Sequence, residues 1–378
     1  MAAAKLLAIF GTRPEAIKLL PVVTALRAHP GIETRLCATA QHRALLDQVL
    51  AMGGIRPDID LDLMRPGQPL GTLAARLALE LDKVLEREQP DRVMVQGDTA
   101  TAMAAALCAY HRRIPVSHVE AGLRSGNLHQ PWPEEGNRRI ISIVADQHFA
   151  PTPKAAETLL GEGVDPSAVH ITGNTVVDAL HAMQARLAVD PAMAQGLDAL
   201  AARFSDRRII LVTAHRRENL DAMGRIADAL RALAARRDSA LVLPAHPNPR
   251  AGAVLKARLA GLSNVALVEP LDYPHFVRLL ALSHLVLTDS GGIQEEAPAV
   301  GKPVLIMRET TERPEGVEAG TARLVGTNPH SIVAETARLL DDPHAHAAMA
   351  QAHSPFGDGH AAPRIAALVA RAMSAALV

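Results

Sequence analysis

Three stretches of this chain combine residue types that hold phosphate and move protons. Gly11-Thr12-Arg13-Pro14-Glu15 follows an apolar run and leads to Lys18. Pro14 suits the first turn of a helix, so free backbone amides, the helix dipole, Arg13 and Lys18 would together make an anion site. A second stretch, Asp289-Ser290-Gly291-Gly292-Ile293-Gln294-Glu295-Glu296, again follows an apolar run. Its glycines permit close backbone approach to a diphosphate, Ser290 offers a hydroxyl, and Glu296 stands one helical turn on, where a carboxylate can accept from ribose hydroxyls. The third stretch, Glu120 to Arg139, gathers Glu120, Arg124, His129, Glu134, Glu135, Arg138 and Arg139, and Asp98 ends a neighbouring apolar run. Asp98, Glu120 and Glu134 are candidates for proton abstraction and return. His215, after another such run, can meet a phosphate or a leaving oxygen at a helix N-terminus.

Each of these also has a plain structural alternative. The Gly11 stretch could be a turn with two solvated bases, the Ser290 stretch a helix cap, and Glu134-Glu135 a pair that complements a helix dipole. Walker A and GxGxxG patterns are absent from the sequence, and the 17 histidines show no HExxH or CxxC-type spacing. No structural or catalytic metal is therefore expected.

The elements that must carry these turns are legible as an alternation. Short Leu/Val/Ile runs interleave with longer segments of helical period, which is the pattern of βα units on parallel sheets. Strands are expected at 6–10, 34–38, 92–96, 115–119, 147–150 and 169–172, and again at 208–213, 240–244, 265–268, 285–288, 303–307 and 322–325. Between the two sets, 181–205 is Ala-rich and polar with Pro191 and Gly196, and is the candidate boundary. The expected fold class is α/β, with two Rossmann-like doubly wound domains facing across a cleft: residues 1–180, and residues 181–359 as the nucleotide-binding half. In open α/β sheets ligands collect beyond the carboxyl ends of the strands, and every polar turn named above lies at such an end.

Composition narrows the partners. The 378 residues are 48% hydrophobic and 21% charged with a net charge of −1, so no global field draws the chain to nucleic acid or anionic lipid. Eight aromatic residues leave few platforms for stacking bases. Two cysteines, Cys37 and Cys108, provide no disulfide framework, and no 18-residue apolar window or signal-peptide pattern is present. A cytoplasmic location is expected.

The strings GTRPEAIKLLP (11–21), QHR (41–43), QGDTATAMA (96–104), HVEAGLRSGN (118–127), PWPEEGNRR (131–139), TGNTVVDAL (172–180), TAHRREN (213–219) and LTDSGGIQEEAPAVGKPVLIMRETTERPEGVEAGT (287–321) resemble the non-hydrolysing UDP-N-acetylglucosamine 2-epimerases of bacteria. The resemblance spans nearly the whole chain. It implies a glycosyltransferase-B-like fold with the last helix, near 361–377, packed back on the first domain. It also implies interconversion of UDP-N-acetylglucosamine and UDP-N-acetylmannosamine for cell-surface polysaccharide, through an enzyme-held 2-acetamidoglucal and without NAD or an essential metal. On the same basis Arg13, Lys18, His215, Ser290, Gly291, Gly292 and Arg313 are similar to diphosphate holders, and Glu296 to the ribose ligand. Phe276, expected in the loop after the 265–268 strand, is similar to a residue lining the uracil pocket. Asp98, Glu120, Glu134 and His215 match acid/base positions. Gln41 and His42 match an allosteric site for a second UDP-N-acetylglucosamine, although Ala44 and Gly67 depart from some members. A homodimer is implied. Rival readings are a glycosyltransferase of the same fold, a hydrolysing epimerase, and a catalytically silent nucleotide-sugar sensor.

Overall fold

In the computed structural model, residues 3–39, 55–65, 67–214, 216, 219–245 and 249–375 are described. Among the described residues thirteen strands form two sheets, and every strand pair is parallel. The chain divides into two compact units, Met1–Ala179 with Phe356–Val378, and Leu180–Pro355.

The first unit holds β1 (Ala4–Phe10), β2 (Ile32–Ala38), β3 (Ile59–Asp60), β4 (Arg92–Gln96), β5 (Val116–Val119), β6 (Gln147–Ala150) and β7 (Val169–Ile171), in the order β3-β2-β1-β4-β5-β6-β7. The second holds β8 (Arg208–Thr213), β9 (Ser239–Pro244), β10 (Val265–Val268), β11 (Leu285–Thr288), β12 (Val304–Ile306) and β13 (Ala322–Leu324), in the order β10-β9-β8-β11-β12-β13. Each strand expected from the sequence is present within two residues of its expected ends. β3 was not expected, because two residues at a sheet edge leave no apolar run to read.

Parallel strands are buried on both faces, so they read as continuous apolar runs rather than alternating ones. Leu6, Leu7, Ala8 and Ile9 of β1 are all fully buried, and so are Leu285, Val286 and Leu287 of β11. In the first unit these strands are packed by Leu73, Leu77, Leu81 and Leu85, which recur at helical spacing along the helix Leu70–Glu88. In the second unit Ile226, Ala227, Leu230 and Leu233 of the helix Met223–Leu233 do the same.

The terminal helix Ala361–Ala375 packs against the helix Arg13–Arg27 within the first unit. Asp178 fixes its start, accepting from the amides of Ala361 (3.2 Å) and Ala362 (2.8 Å). The division between units falls inside the helix Thr175–Val189. The following segment is packed rather than loose: the Gln195 carbonyl lies 3.1 Å from Nε2 of His275. Among the described residues no helix is long and apolar enough to cross a membrane.

One close contact makes a sharp test of the first unit. Gly122 has φ +91°, and a Cβ placed on it would stand 2.1 Å from the Ala155 carbonyl oxygen. Backbone cannot yield as a flexible side chain can. Gly122→Ala should therefore cost about 2 kcal/mol or more in urea denaturation followed by circular dichroism; a variant as stable as the wild type would show that the loop relaxes freely.

Candidate functional site

Both sheets reverse strand order at one place, between β1 and β4 and between β8 and β11. There the connecting helices leave toward opposite faces, so the carboxyl ends of the two central strands are left open to a ligand. The polar turns singled out in the sequence sit at these ends.

In the first unit β1 runs into Gly11 and Thr12. Thr12 caps the helix Arg13–Arg27, and Glu15 reciprocates in a capping box, its Oε2 accepting from the amides of Thr12 (2.7 Å) and Gly11 (3.1 Å). Arg13 opens that helix and is half-buried. Lys18, one turn further, is buried, and its ammonium lies 2.5 Å from Oε1 of Glu120. Lys18 and Glu120 are 102 residues apart in sequence, so no local pattern announces the pair.

Glu120 follows β5 directly and takes φ +66°, a left-handed conformation unusual for a residue with a side chain. Its neighbours hold it there: Gly97 N–H donates to the Val119 carbonyl (2.9 Å) and Ala121 N–H to the Phe149 carbonyl (3.0 Å). Its carboxylate also accepts from the side-chain amides of Gln96 and Asn174, the latter at 3.2 Å. One carboxylate thus collects an ammonium and two amide donors, an arrangement that fixes its oxygens.

Asp98 follows β4 by two residues. Its carboxylate pairs with the Arg138 guanidinium, and its backbone carbonyl accepts from Nδ2 of Asn137 at 2.9 Å. Both partners lie on the helix Glu134–Val144. Glu134 is its first residue, half-buried, and stands one turn before Arg138 on the same face. The two adjacent glutamates separate in role. Glu135 is fully buried, accepting from the Ser125 amide (3.0 Å) and pairing with Arg139 (3.0 Å) and Arg138 (3.4 Å), so it ties the loop to the helix. The fold thus brings Asp98, Glu120 and Glu134 to the carboxyl ends of β4 and β5 and the helix that serves them.

Beneath these carboxylates lies His118, fully buried in β5, with Nε2 2.8 Å from the Gly97 carbonyl. Burial pushes its pKa down to about 3, the hydrogen bond to Gly97 opposing only in part. The imidazole is a neutral wedge that supports the Gly97-Asp98 turn.

In the second unit Ser290 caps the helix Gly291–Ala299 through its backbone, without a side-chain cap bond. Thr213 at the end of β8 and Thr288 at the end of β11 join by their hydroxyls at 2.6 Å. Asp289 is fully buried and accepts from the Arg216 amide (2.9 Å) and from Nδ2 of Asn219 (3.2 Å). Gly291 lies directly beneath a charged pair: a Cβ there would be 2.6 Å from Nη1 of Arg313 and 2.8 Å from Oε1 of Glu312, so both side-chain ends would have to shift. Arg313 in turn pairs with Glu295 (2.5 Å) and Glu312 (2.9 Å). Glu312 also meets Arg308 (2.6 Å) and Arg216 (3.4 Å). Burial opposes its charge, but the guanidiniums of Arg313, Arg308 and Arg216 outweigh it and hold the carboxyl well below the usual range. Arg216, Arg308, Glu295 and Glu312 were not singled out from the sequence. Arg308 and Glu312 belong to an Arg/Glu-rich segment after β12, which becomes meaningful only once the chain returns it to the Gly291 turn, whereas Arg216 follows β8 and Glu295 lies on the helix after β11.

Glu296 is buried on the helix Gly291–Ala299 and accepts from the Tyr273 hydroxyl at 3.2 Å. Phe276, half-buried, corrects one expectation: it is not in a loop but in the first turn of the helix Tyr273–Leu282. The reason is local, since Asp272 caps that turn by accepting from the His275 amide (3.0 Å) and Pro274 starts it. Phe276 is three residues from Tyr273, hence on the same face. Gln41, His42 and His215 lie outside the described residues. Among the described residues no cluster of His, Cys, Asp and Glu could hold a metal.

A family model described as UDP-N-acetylglucosamine 2-epimerase matches residues 24–370. A probable UDP-N-acetylglucosamine 2-epimerase of Ralstonia nicotianae is 51% identical over 364 residues, covering 96% of this chain and 97% of the relative. The UDP-N-acetylglucosamine 2-epimerase of Escherichia coli K12 is 48% identical over 367 residues, with coverage of 96% and 97%. The crystal structure of UDP-GlcNAc 2-epimerase from Neisseria meningitidis bound to UDP-GlcNAc superposes with a TM-score of 0.93 at 43% identity, covering 97% of this chain and 100% of that one.

The buried imidazole predicts an acid sensitivity of defined sign. The unfolded chain binds a proton at His118 below pH 6.5 and the folded one only below about pH 3, so this contribution to stability falls as pH drops from 6.5 toward 3. His118→Gln should flatten that component in a series of denaturation curves across pH. Equal pH slopes for variant and wild type would mean His118 is not held neutral.

Proposed function

This chain belongs to the family of UDP-N-acetylglucosamine 2-epimerases, and from that premise and the anchored carboxylate of Glu120 we propose that it interconverts UDP-N-acetylglucosamine and UDP-N-acetylmannosamine. The product would serve cell-surface polysaccharide synthesis. The C2 hydrogen of the sugar is weakly acidic, because the ring has no adjacent carbonyl. Its removal becomes feasible as the C1–O bond breaks: the C2–H electrons form the C1=C2 bond, and the C1–O electrons leave on UDP. The intermediate is 2-acetamidoglucal. UDP then re-adds at C1 while a proton reaches C2 from the opposite face.

Two demands follow, one for proton carriers and one for a site that accepts the charge developing on the diphosphate. Asp98, Glu120 and Glu134 meet the first. Asp98 and Glu120 each have a cation beside them, Arg138 and Lys18, that compensates the carboxylate while its oxygens remain fixed. Ser290, Gly291, Gly292, Arg313 and the newly located Arg216 are assigned to the second demand, and Arg13 is a further diphosphate cation. The amides at the start of the helix Gly291–Ala299 support that role. His215, next to Arg216 in sequence, is assigned with them as diphosphate ligand and proton carrier. Glu296 takes the ribose hydroxyls, with Tyr273 orienting it, and Phe276 faces the uracil.

The test is a proton NMR time course with UDP-N-acetylglucosamine in deuterated water, without NAD or added metal. The manno anomeric signal should grow with deuterium at C2. Glu120→Gln and Asp98→Asn should abolish this while UDP affinity stays within about tenfold, or about 1.4 kcal/mol. Wild-type turnover in either variant would refute the acid/base assignment, and acceptor-dependent release of UDP without C2 exchange would favour a glycosyltransferase.

Arg13→Ala should weaken UDP binding roughly tenfold or more in calorimetry, the usual cost of a hydrogen bond to a charged group. An unchanged dissociation constant would remove Arg13 from the diphosphate site.

A further inference from the structure

Glu15 was read in the sequence only as part of a turn, yet it is 1% exposed and makes bonds on both sides of the β1/β4 opening. Its Oε2 accepts from the amides of Gly11 and Thr12, at the end of β1. Its Oε1 accepts from the Thr99 hydroxyl at 2.7 Å, in the turn after β4. Thr99 is itself the cap of the helix Ala100–His111, accepting from the Ala102 amide at 3.1 Å. A single carboxylate therefore links the caps of two helices that begin on either side of the opening. The residue after Thr12 is Arg13, and the residue before Thr99 is Asp98.

The backbone beneath is equally tight. A Cβ on Gly11 would fall 2.3 Å from the Thr101 hydroxyl and 2.6 Å from that of Thr39, and those two hydroxyls are 2.8 Å apart. The turn after β1 thus rests on the helix Ala100–His111, with Glu15 as the bond that fixes its height. Parallel strands β1 and β4 pair only through Leu6–Ala8 and Arg92–Met94, so the ladder ends before either turn begins. Glu15 bridges the two turns where that ladder has stopped.

We propose that Glu15 is a positioning residue: by strapping the Gly11-Thr12 turn to Thr99, it sets Arg13 and Asp98 at the mutual distance that the reaction requires. The inference rests on the epimerase reading for the roles of Arg13 and Asp98, but the strap itself does not. Glu15 is buried and both its oxygens are already bonded within the protein, so its role is to position rather than to react. Burial pushes its pKa up to about 7 against the four hydrogen bonds that oppose it, so the surroundings tolerate this carboxyl at a cost that an ordinary helix cap does not require.

The experiment is a double-mutant cycle on the full-length protein with Glu15→Gln and Thr99→Ala. Glutamine keeps an oxygen for Gly11 and Thr12 but presents an amide toward Thr99. Each single variant should lower kcat by about tenfold or more with KM changed less than about threefold, and the double variant should be no slower than the worse single one. Losing the Thr99 cap on Ala102 does not involve Glu15, so a merely structural effect would add in the double variant and overturn the proposal. Thr99→Ser, which keeps the hydroxyl, should restore kcat; failure to do so would also overturn it. A readout independent of turnover is hydrogen exchange. In Thr99→Ala the amides of Gly11 and Thr12, 87 or more residues away in sequence, should exchange faster than in wild type. If wild type fails to epimerise but this exchange effect is present, the functional reading falls and the strap stands; unchanged exchange removes the strap.

Discussion

Everything at this protein's candidate site depends on stitching a gap that parallel sheets create by their own geometry. At the switch point the two central strands send their helices to opposite faces, so nothing covers the strand ends; in the first unit the ladder also stops short of the turns, and in the second it ends with the Asp289 amide on the Thr213 carbonyl. The opening that admits a ligand is thus also a seam that side chains must close. Each unit closes its seam with a buried carboxylate. In the first, Glu15 from the β1 side reaches Thr99 on the β4 side. In the second, Asp289 from the β11 side reaches the Arg216 amide on the β8 side, with the Thr213–Thr288 hydroxyl pair below. The direction is reversed and the residue differs, but the physical solution is the same: an acceptor-rich group placed where backbone donors have lost their partners.

The second seam carries a lattice of charge that stability alone does not explain. Buried ion pairs rarely stabilise more than an apolar packing of the same volume. Here Glu312 lies among Arg216, Arg308 and Arg313, and Arg313 is shared with Glu295. The carboxylates compensate the guanidiniums and fix their planes, so the arginines stand oriented above the glycine turn with little side-chain freedom left to lose when an anion arrives. Gly291 completes the reasoning, because any side chain there would occupy the space of the Arg313 guanidinium.

Much of this was legible in the sequence, and the reasons are physical. Buried parallel strands are continuous apolar runs, so they could be placed closely, and turns at their ends stand out because polar residues interrupt those runs. The carboxylates Asp98, Glu120 and Glu134 were visible for the same reason. The partners were not. Lys18 was read as a phosphate cation, and nothing within its helix suggests the pairing with Glu120. Gln96, Asn174, Arg216 and Arg308 become interpretable only after strands distant in sequence are laid side by side. The Thr12-x-x-Glu15 capping box is a local pattern, but the bond to Thr99 that gives Glu15 its wider meaning is not. Phe276 failed in the other direction, because the loop after β10 is short and Asp272 starts a helix before Phe276 is reached.

Glu120 shows how these threads combine. A left-handed conformation at a residue with a side chain costs on the order of 1–3 kcal/mol and persists only where the surroundings over-determine it. Around Glu120 they do: the ladder bonds of Gly97 and Ala121 pin the backbone on both sides, and Lys18, Gln96 and Asn174 hold the carboxylate. The conformation turns the side chain out of the alternation of β5 at the strand's end. Gly97 has φ +69° in the adjacent turn, and a Cβ there would stand 3.5 Å from Oε2 of Glu120, an ordinary contact. Glycine at 97 is thus demanded by its backbone rather than by crowding, and that backbone is set by the buried neutral His118 holding its carbonyl. Strain at one residue, conformational freedom at a second and a depressed imidazole pKa at a third are therefore parts of one device, which presents a carboxylate at the open end of the sheet with its oxygens already in place.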